Sequence, residues 1–244
     1  MMEAATRLLL VATFVAAAAL GAELALRRMH LPTRLVWVLA AVANPALALW
    51  PPHMEHALFP VAVAAFNAPA HTTMSYRWLW PLCSGLAAAW TLAVALRLGR
   101  LIRGRPKIRV GGTELVGTDD LGPAVIGLFA PRVVVPRWFS ALSIRAKRLV
   151  LVHELAHIRA RDSWVLGATL LGALSMPWNP LQWWILHRTR RAIELDCDER
   201  VLARGIPVRR YGEVLIDVAA RPLRSLGPAS VVCATSDFLE QRIR

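Results

Sequence analysis

Apolar residues dominate the first hundred positions, and their grouping predicts three membrane helices. Residues 4–26 make a stretch long enough to cross about 30 Å of hydrocarbon, interrupted by Glu23 and closed by Arg27 and Arg28. Its apolar run is longer than a signal peptide needs, and the strong positive charge follows it rather than precedes it, so it is expected to be retained. Residues 34–50 form a second span, kinked at Pro45, where a backbone donor is lost. Residues 51–77 mix His, Asn and Pro with apolar positions and predict a loop with an interfacial helix near residues 58–68. Residues 78–98 form the third span, with Trp78, Trp80 and Trp90 suited to the membrane interface.

The pattern changes after Leu98. Lys107 to Val116, Ala124 to Phe129 and Arg132 to Val135 are short β-branched runs separated by Gly, Pro and Asp, the pattern of strands joined by turns. A helical period then runs from about Ser143, a natural N-cap, to Arg161. Residues 163–186 are apolar again but contain Met176-Pro177-Trp178-Asn179-Pro180, a turn signal. These residues predict a helical hairpin at the membrane, followed by a helical segment from Arg188 to Leu202. The expected fold is thus a mainly α membrane protein: three transmembrane helices within residues 1–105, then an α+β domain over 106–244 with a small β-sheet and a membrane-associated hairpin.

Composition agrees with a membrane protein, since 56% of the 244 residues are hydrophobic and the formal net charge is +13. Most of the basic residues flank apolar spans, and no helix-turn-helix, zinc-finger or aromatic RNP signature accompanies them, so no direct nucleic-acid binding is expected. Arg27, Arg28 and Arg34 cluster at one turn, and Arg97, Arg100, Arg103, Arg105, Lys107 and Arg109 follow the third span. The positive-inside rule then predicts an N-terminus outside and residues 106–244 facing the cytoplasm. Cys83, Cys197 and Cys233 have no CxxC spacing and predict neither a disulfide framework nor a thiolate zinc site.

The chemistry lies in His153-Glu154-Leu155-Ala156-His157. Two imidazoles four residues apart fall on one helical face and can chelate one ion, with Glu154 beside it as the base that takes a proton from water. In an apolar helix, such polar groups are costly unless something satisfies them. A catalytic zinc takes three protein ligands and leaves a fourth position open. Asp162, Glu194, Asp196, Asp198, Glu199 and Glu213 are the downstream acidic candidates. Glu194 has the reach for the third ligand, and Asp198, one turn on, is either a support for a histidine ring or an ion-pair partner of Arg190, Arg191 or Arg200. Asp162, one turn after His157, reads as a group that orients that ligand or, in preference, as a cap or an ion pair with Arg159 or Arg161. His187, Arg191 and Tyr211 are oxyanion candidates that read first as structural, Tyr211 as a packing residue, and Cys197 reads as a small buried thiol.

Four stretches in order, GPAVIGLFAPRVVVP, LVLVHELAHIRARDSW, NPLQWW and RRAIELDCDERVL, resemble the BlaR/MecR-type membrane metallopeptidases over roughly Gly122 to Arg204. The resemblance implies a gluzincin-like site in a bacterial-type cell membrane. One Zn2+ per chain would be bound by His153, His157 and Glu194, with Glu154 as general base and Asp198 as a supporting residue. It also implies proteolysis in signal transduction, acting on a protein substrate such as a transcriptional repressor or on the chain itself. The β-lactam transducers of that family carry a penicillin-binding sensor with an SxxK motif. No SxxK occurs here, so a β-lactam receptor role is not expected.

Overall fold

The computed structural model describes residues 2–48, 79–103, 105, 107–110, 113–119 and 121–221. In chain order its elements are α1 (Met2–Arg28), α2 (Arg34–Ala48), α3 (Leu79–Ile102), β1 (Lys107–Val110), β2 (Thr113–Thr118), β3 (Ala124–Ile126) and β4 (Arg132–Pro136). A 3-10 turn (Arg137–Ala141), α4 (Ile144–Arg159), α5 (Asp162–Ser175), α6 (Pro180–Leu202) and α7 (Val208–Ala219) follow. The chain forms two compact units, one of Met1–Ala88 with Ala168–Arg188, the other of Ala89–Gly167 with Thr189–Arg244.

In the first unit α1 packs on α2 through small residues. Ala12, Ala16 and Ala19 are buried along one face of α1, and Ala40 and Ala41 are buried on α2, so the backbones approach closely. Pro45 lies inside α2 and cannot supply the N–H that the Ala41 carbonyl would otherwise receive. Gln182 at the start of α6 donates to that carbonyl instead, at 3.4 Å. Gly172 of α5 also meets Ala41: a Cβ there would lie 2.5 Å from the same oxygen, so only glycine fits. Asn179 caps α6 by accepting from Leu181 N at 3.0 Å, and Pro180 opens that helix where no donor is needed.

Glu23 continues the buried face of α1 and is 2% exposed. A carboxylate in an apolar helix is costly unless it is paired, and here it is paired thoroughly. Trp37 donates its indole N–H at 3.1 Å, Arg27 approaches to 2.6 Å, and Arg188 of α6 completes the set. The Arg188 guanidinium also lies over the rings of Trp37 and Trp184, at 5.2 and 5.8 Å.

The expectation of three membrane crossings is corrected here. Among the described residues one helical stretch, Leu9–Arg28, is long and apolar enough to cross a membrane. Helix α2 has 15 residues and carries Pro45, which at 1.5 Å per residue gives about 22 Å, short of the roughly 30 Å core. In α3 the apolar stretch is limited to Pro81–Arg97, closed by Arg97 and Arg100. Residues 49–78, with the expected interfacial helix and Trp78, lie outside the described residues.

The second unit is built on a four-stranded sheet in the order β1-β2-β4-β3. The run from Lys107 to Val116, expected as one strand, is two strands paired antiparallel, with Lys107 opposite Val116. Strand β4 is central, parallel to β2 and antiparallel to β3. Its period-2 alternation separates two cores. Leu115, Val133 and Val135 pack with Phe139, Leu142 and, from α4, Val150 and Leu151, while Val116, Ala124 and Val134 face the other way. Ser143 caps α4 by accepting from Ala146 N at 3.2 Å. A third core, Ala156, Cys197, Val201 and Tyr211, ties together α4, α6 and α7.

Candidate metal centre

Helix α4 places His153 and His157 one turn apart, and their rings meet edge to face with centroids 4.7 Å apart. The two Nε2 atoms face each other across 3.1 Å. Glu194, from α6, addresses both: Oε2 lies 3.5 Å from His153 Nε2 and Oε1 lies 3.6 Å from His157 Nε2. His153, Glu154, His157 and Glu194 are all buried.

The other ring nitrogens are engaged from behind. His157 Nδ1 lies 2.8 Å from Asp162 Oδ2. Asp162 can reach back because α4 ends at Arg159 and Arg161 turns with φ 55°, so α5 begins after only two residues. His153 Nδ1 lies 2.8 Å from the Tyr211 hydroxyl, and that hydroxyl donates to Asp198 Oδ1 at 2.6 Å. The phenol has one proton and gives it to Asp198, so it receives the Nδ1–H of His153. In their neutral form both rings therefore carry the proton on Nδ1, and the two Nε2 lone pairs point at each other.

Two acceptors at 3.1 Å repel unless a proton or a cation lies between them. Zinc bound tetrahedrally at about 2.0–2.1 Å sets its ligand atoms roughly 3.3–3.4 Å apart, and the separations of 3.1, 3.5 and 3.6 Å bracket that value. The donor set thus fits one Zn2+.

The electrostatics point the same way. Burial by itself lowers the proton affinity of His153, but contacts with Cys197 and Glu194 outweigh it and push the pKa up to about 9. His157 is likewise disfavoured as a cation by burial, yet Glu194, then Asp162, hold it well above its ordinary value. The Cys197 thiol is raised by burial and lowered more strongly by hydrogen bonding to His153 and His157. The surroundings therefore favour positive charge at the Nε2 pair, which a divalent ion supplies.

Cys197 makes a competing ligand set, since its sulfur and donor atoms of both histidines lie within 4.8 Å of one another. The sulfur approaches His153 through Nδ1, at 3.4 Å. That nitrogen is on the far side of the ring from His157, and one ion cannot use it together with Nε2 of the same ring. Glu194 addresses the two facing Nε2 atoms, so we favour it as the third donor.

Of the residues singled out from the sequence, His153, His157 and Glu194 converge on one point, Glu154 is buried beside them on α4, and Asp198 approaches His153 through Tyr211. Tyr211, read from the sequence as packing or as an oxyanion partner, meets His153, and Asp162 takes the role of orienting His157 that its place one turn on allowed, rather than capping a helix or pairing with Arg159 or Arg161. Asp162 pairs instead with Arg200, at 3.2 Å. The one sequence signal for its position is the interval between His157 and the start of the next apolar run.

Two histidines one helical turn apart, faced by a glutamate from a second helix, form the active-site arrangement of an HExxH zinc peptidase. A family profile described as BlaR1 peptidase M56 matches residues 115–244. The chain is also similar to the regulatory protein BlaR1 of Bacillus licheniformis, 27% identical over 126 residues that cover 50% of this chain and 21% of that protein. It thus spans about a fifth of the length of this curated relative. With the apolar helix α1, the match makes this a membrane-associated protein. Because the matched region includes both the HExxH helix and the helix of Glu194, and takes in more than half of the sequence, the chain belongs to the BlaR1 peptidase M56 family.

Proposed function

We propose that the chain is a zinc endopeptidase that works at the cytoplasmic face of the membrane and cleaves a protein in a signalling step. The observation that carries this reading is the pair of Nε2 atoms 3.1 Å apart with Glu194 against both. His153, His157 and Glu194 are the proposed ligands. Bound there, zinc supplies Lewis-acid polarisation of a water and of the scissile carbonyl. Glu154 accepts the proton of the attacking water and returns it to the departing amine. Asp162 holds His157, and Asp198 holds His153 through Tyr211, each fixing the tautomer that leaves Nε2 available.

The cytoplasmic orientation rests on Arg27 and Arg28, which close the apolar stretch Leu9–Arg28, and on the basic residues that follow α3. The substrate assignment, a repressor or the chain itself, rests on the resemblance to BlaR/MecR-type peptidases and on the description of the Bacillus licheniformis relative as a regulatory protein.

The test is cleavage of casein and of the chain itself by protein purified in detergent micelles. Wild type is expected to cleave, and Glu154→Gln to lose about 10²- to 10⁴-fold of the rate while keeping its zinc. A zinc-loaded wild type that cleaves neither, or a Glu154→Gln variant as fast as wild type, would overturn the assignment.

A further inference from the structure

Arg200 lies six residues after Glu194 on α6, and its guanidinium makes three hydrogen bonds that tie separate parts of the centre together. Nε donates to Asp196 O at 2.8 Å, laying the side chain along its own helix. Nη1 donates at 3.0 Å to Ala156 O, the carbonyl between the two histidines on α4 that precedes His157. Nη2 donates at 3.2 Å to Asp162 Oδ2, the same oxygen that lies 2.8 Å from His157 Nδ1.

We propose that Arg200 is a positioning residue for the zinc centre: it braces α4 against α6, holds Asp162 on His157, and so sets Glu194 at the right distance from the histidines before metal arrives. This rests on the zinc reading above. The two ligand-bearing helices are joined by a planar group with nitrogens in fixed relation, so the Glu194 helix cannot slide along α4 without breaking at least one bond. Ala156 O also accepts from Ala160 N at 3.0 Å, so the brace grips α4 at its last turn, where the negative end of the helix dipole favours a cation. Asp162 Oδ2 thus accepts from Arg200 and His157 together, which fixes the carboxylate between them. Lysine would keep the charge but not the three-way geometry. Residues that orient ligands in this way commonly change metal affinity without touching the ion.

The experiment uses the full chain in detergent micelles. Zinc affinity is measured by chelator competition for wild type, Arg200→Ala and Arg200→Lys, and the visible spectrum is recorded after saturation with Co2+. Arg209→Ala serves as control, because the Arg209–Glu213 pair is exposed. Arg200→Ala is expected to bind zinc about 10- to 100-fold more weakly and to show an altered Co2+ absorption band, with Arg200→Lys recovering only part of the loss and Arg209→Ala none of it. Should Arg200→Ala fail to fold, Arg200→Lys decides alone. If wild type binds zinc and His153→Ala does not, yet the Arg200 variants match wild type within about twofold with an unchanged spectrum, the brace is wrong and the zinc reading survives. If wild type binds no zinc, the zinc reading falls and the brace falls with it.

Discussion

Helix α6 carries two buried polar clusters with opposite charge balance. At Arg188 one carboxylate, Glu23, is met by two guanidinium groups and an indole N–H, and the Arg188 charge rests on the faces of Trp37 and Trp184. At Glu194 the order is reversed: Glu194, Asp162 and Asp198 converge on two imidazoles whose facing nitrogens are acceptors in the neutral rings. In the first cluster the carboxylate is satisfied by the protein's own groups, and its role is to hold α1, α2 and α6 together. The second favours a further positive charge, and that demand is what marks it as a metal centre. Burial of polar groups alone does not separate structure from chemistry. The direction in which the lone pairs point does.

The largest effect that separates the clusters is on folding. Glu23→Ala strands the Arg188 charge, and breaking one side of a buried pair costs about 3–5 kcal/mol, at the low end here because Arg188 keeps 18% of its side chain exposed. Denaturant unfolding in micelles should show that loss, with zinc stoichiometry unchanged and most of the stability restored in Glu23→Leu/Arg188→Met. Loss of zinc in Glu23→Ala would break the distinction drawn between the clusters.

A smaller effect is expected at Tyr211. Tyr211→Phe removes the hydroxyl that receives the His153 proton and frees the ring to change tautomer. Zinc affinity by chelator competition should fall about tenfold, with the fold retained because Tyr211 keeps its apolar contacts. Unchanged affinity would return Tyr211 to a packing role.

The smallest is the dependence on pH. Without metal, His153 has a folded-state pKa of about 9, above its ordinary value of 6.5. Its contribution to stability is complete below pH 6.5 and is lost as pH rises through 9. Zinc binds the deprotonated ring, so its affinity should instead rise over that window. Thermal unfolding with and without zinc between those limits should diverge with rising pH. A gap that narrows toward pH 9 would contradict the assignment.

Much of the second cluster was legible in the sequence because its chemistry is local. The interval between His153 and His157 is one helical turn, and Glu194 has an acidic side chain of the right reach on a helix four residues before Asp198. The break at Met176 to Asn179 was legible through Pro177 within it and Pro180 just after it. The one-turn spacing offered Asp162 as an orienting group for His157, but what decides it over a cap or an ion pair is the left-handed turn at Arg161, and Tyr211 meets His153 only once α7 folds against α4. The count of crossings failed for a different reason. Hydropathy recorded apolar stretches in α2 and α3, but Pro45 and Arg97 limit how much uninterrupted apolar helix they provide. Glu23, read as a break in an apolar span, is the point where that span is fastened to α6.

The most direct test of the metal centre is zinc content in purified wild type and Glu194→Ala. One zinc per chain is expected in wild type, with a marked loss in Glu194→Ala. Zinc retained at full stoichiometry and affinity without Glu194 would contradict it, moving the third ligand elsewhere, with Cys197 the first alternative.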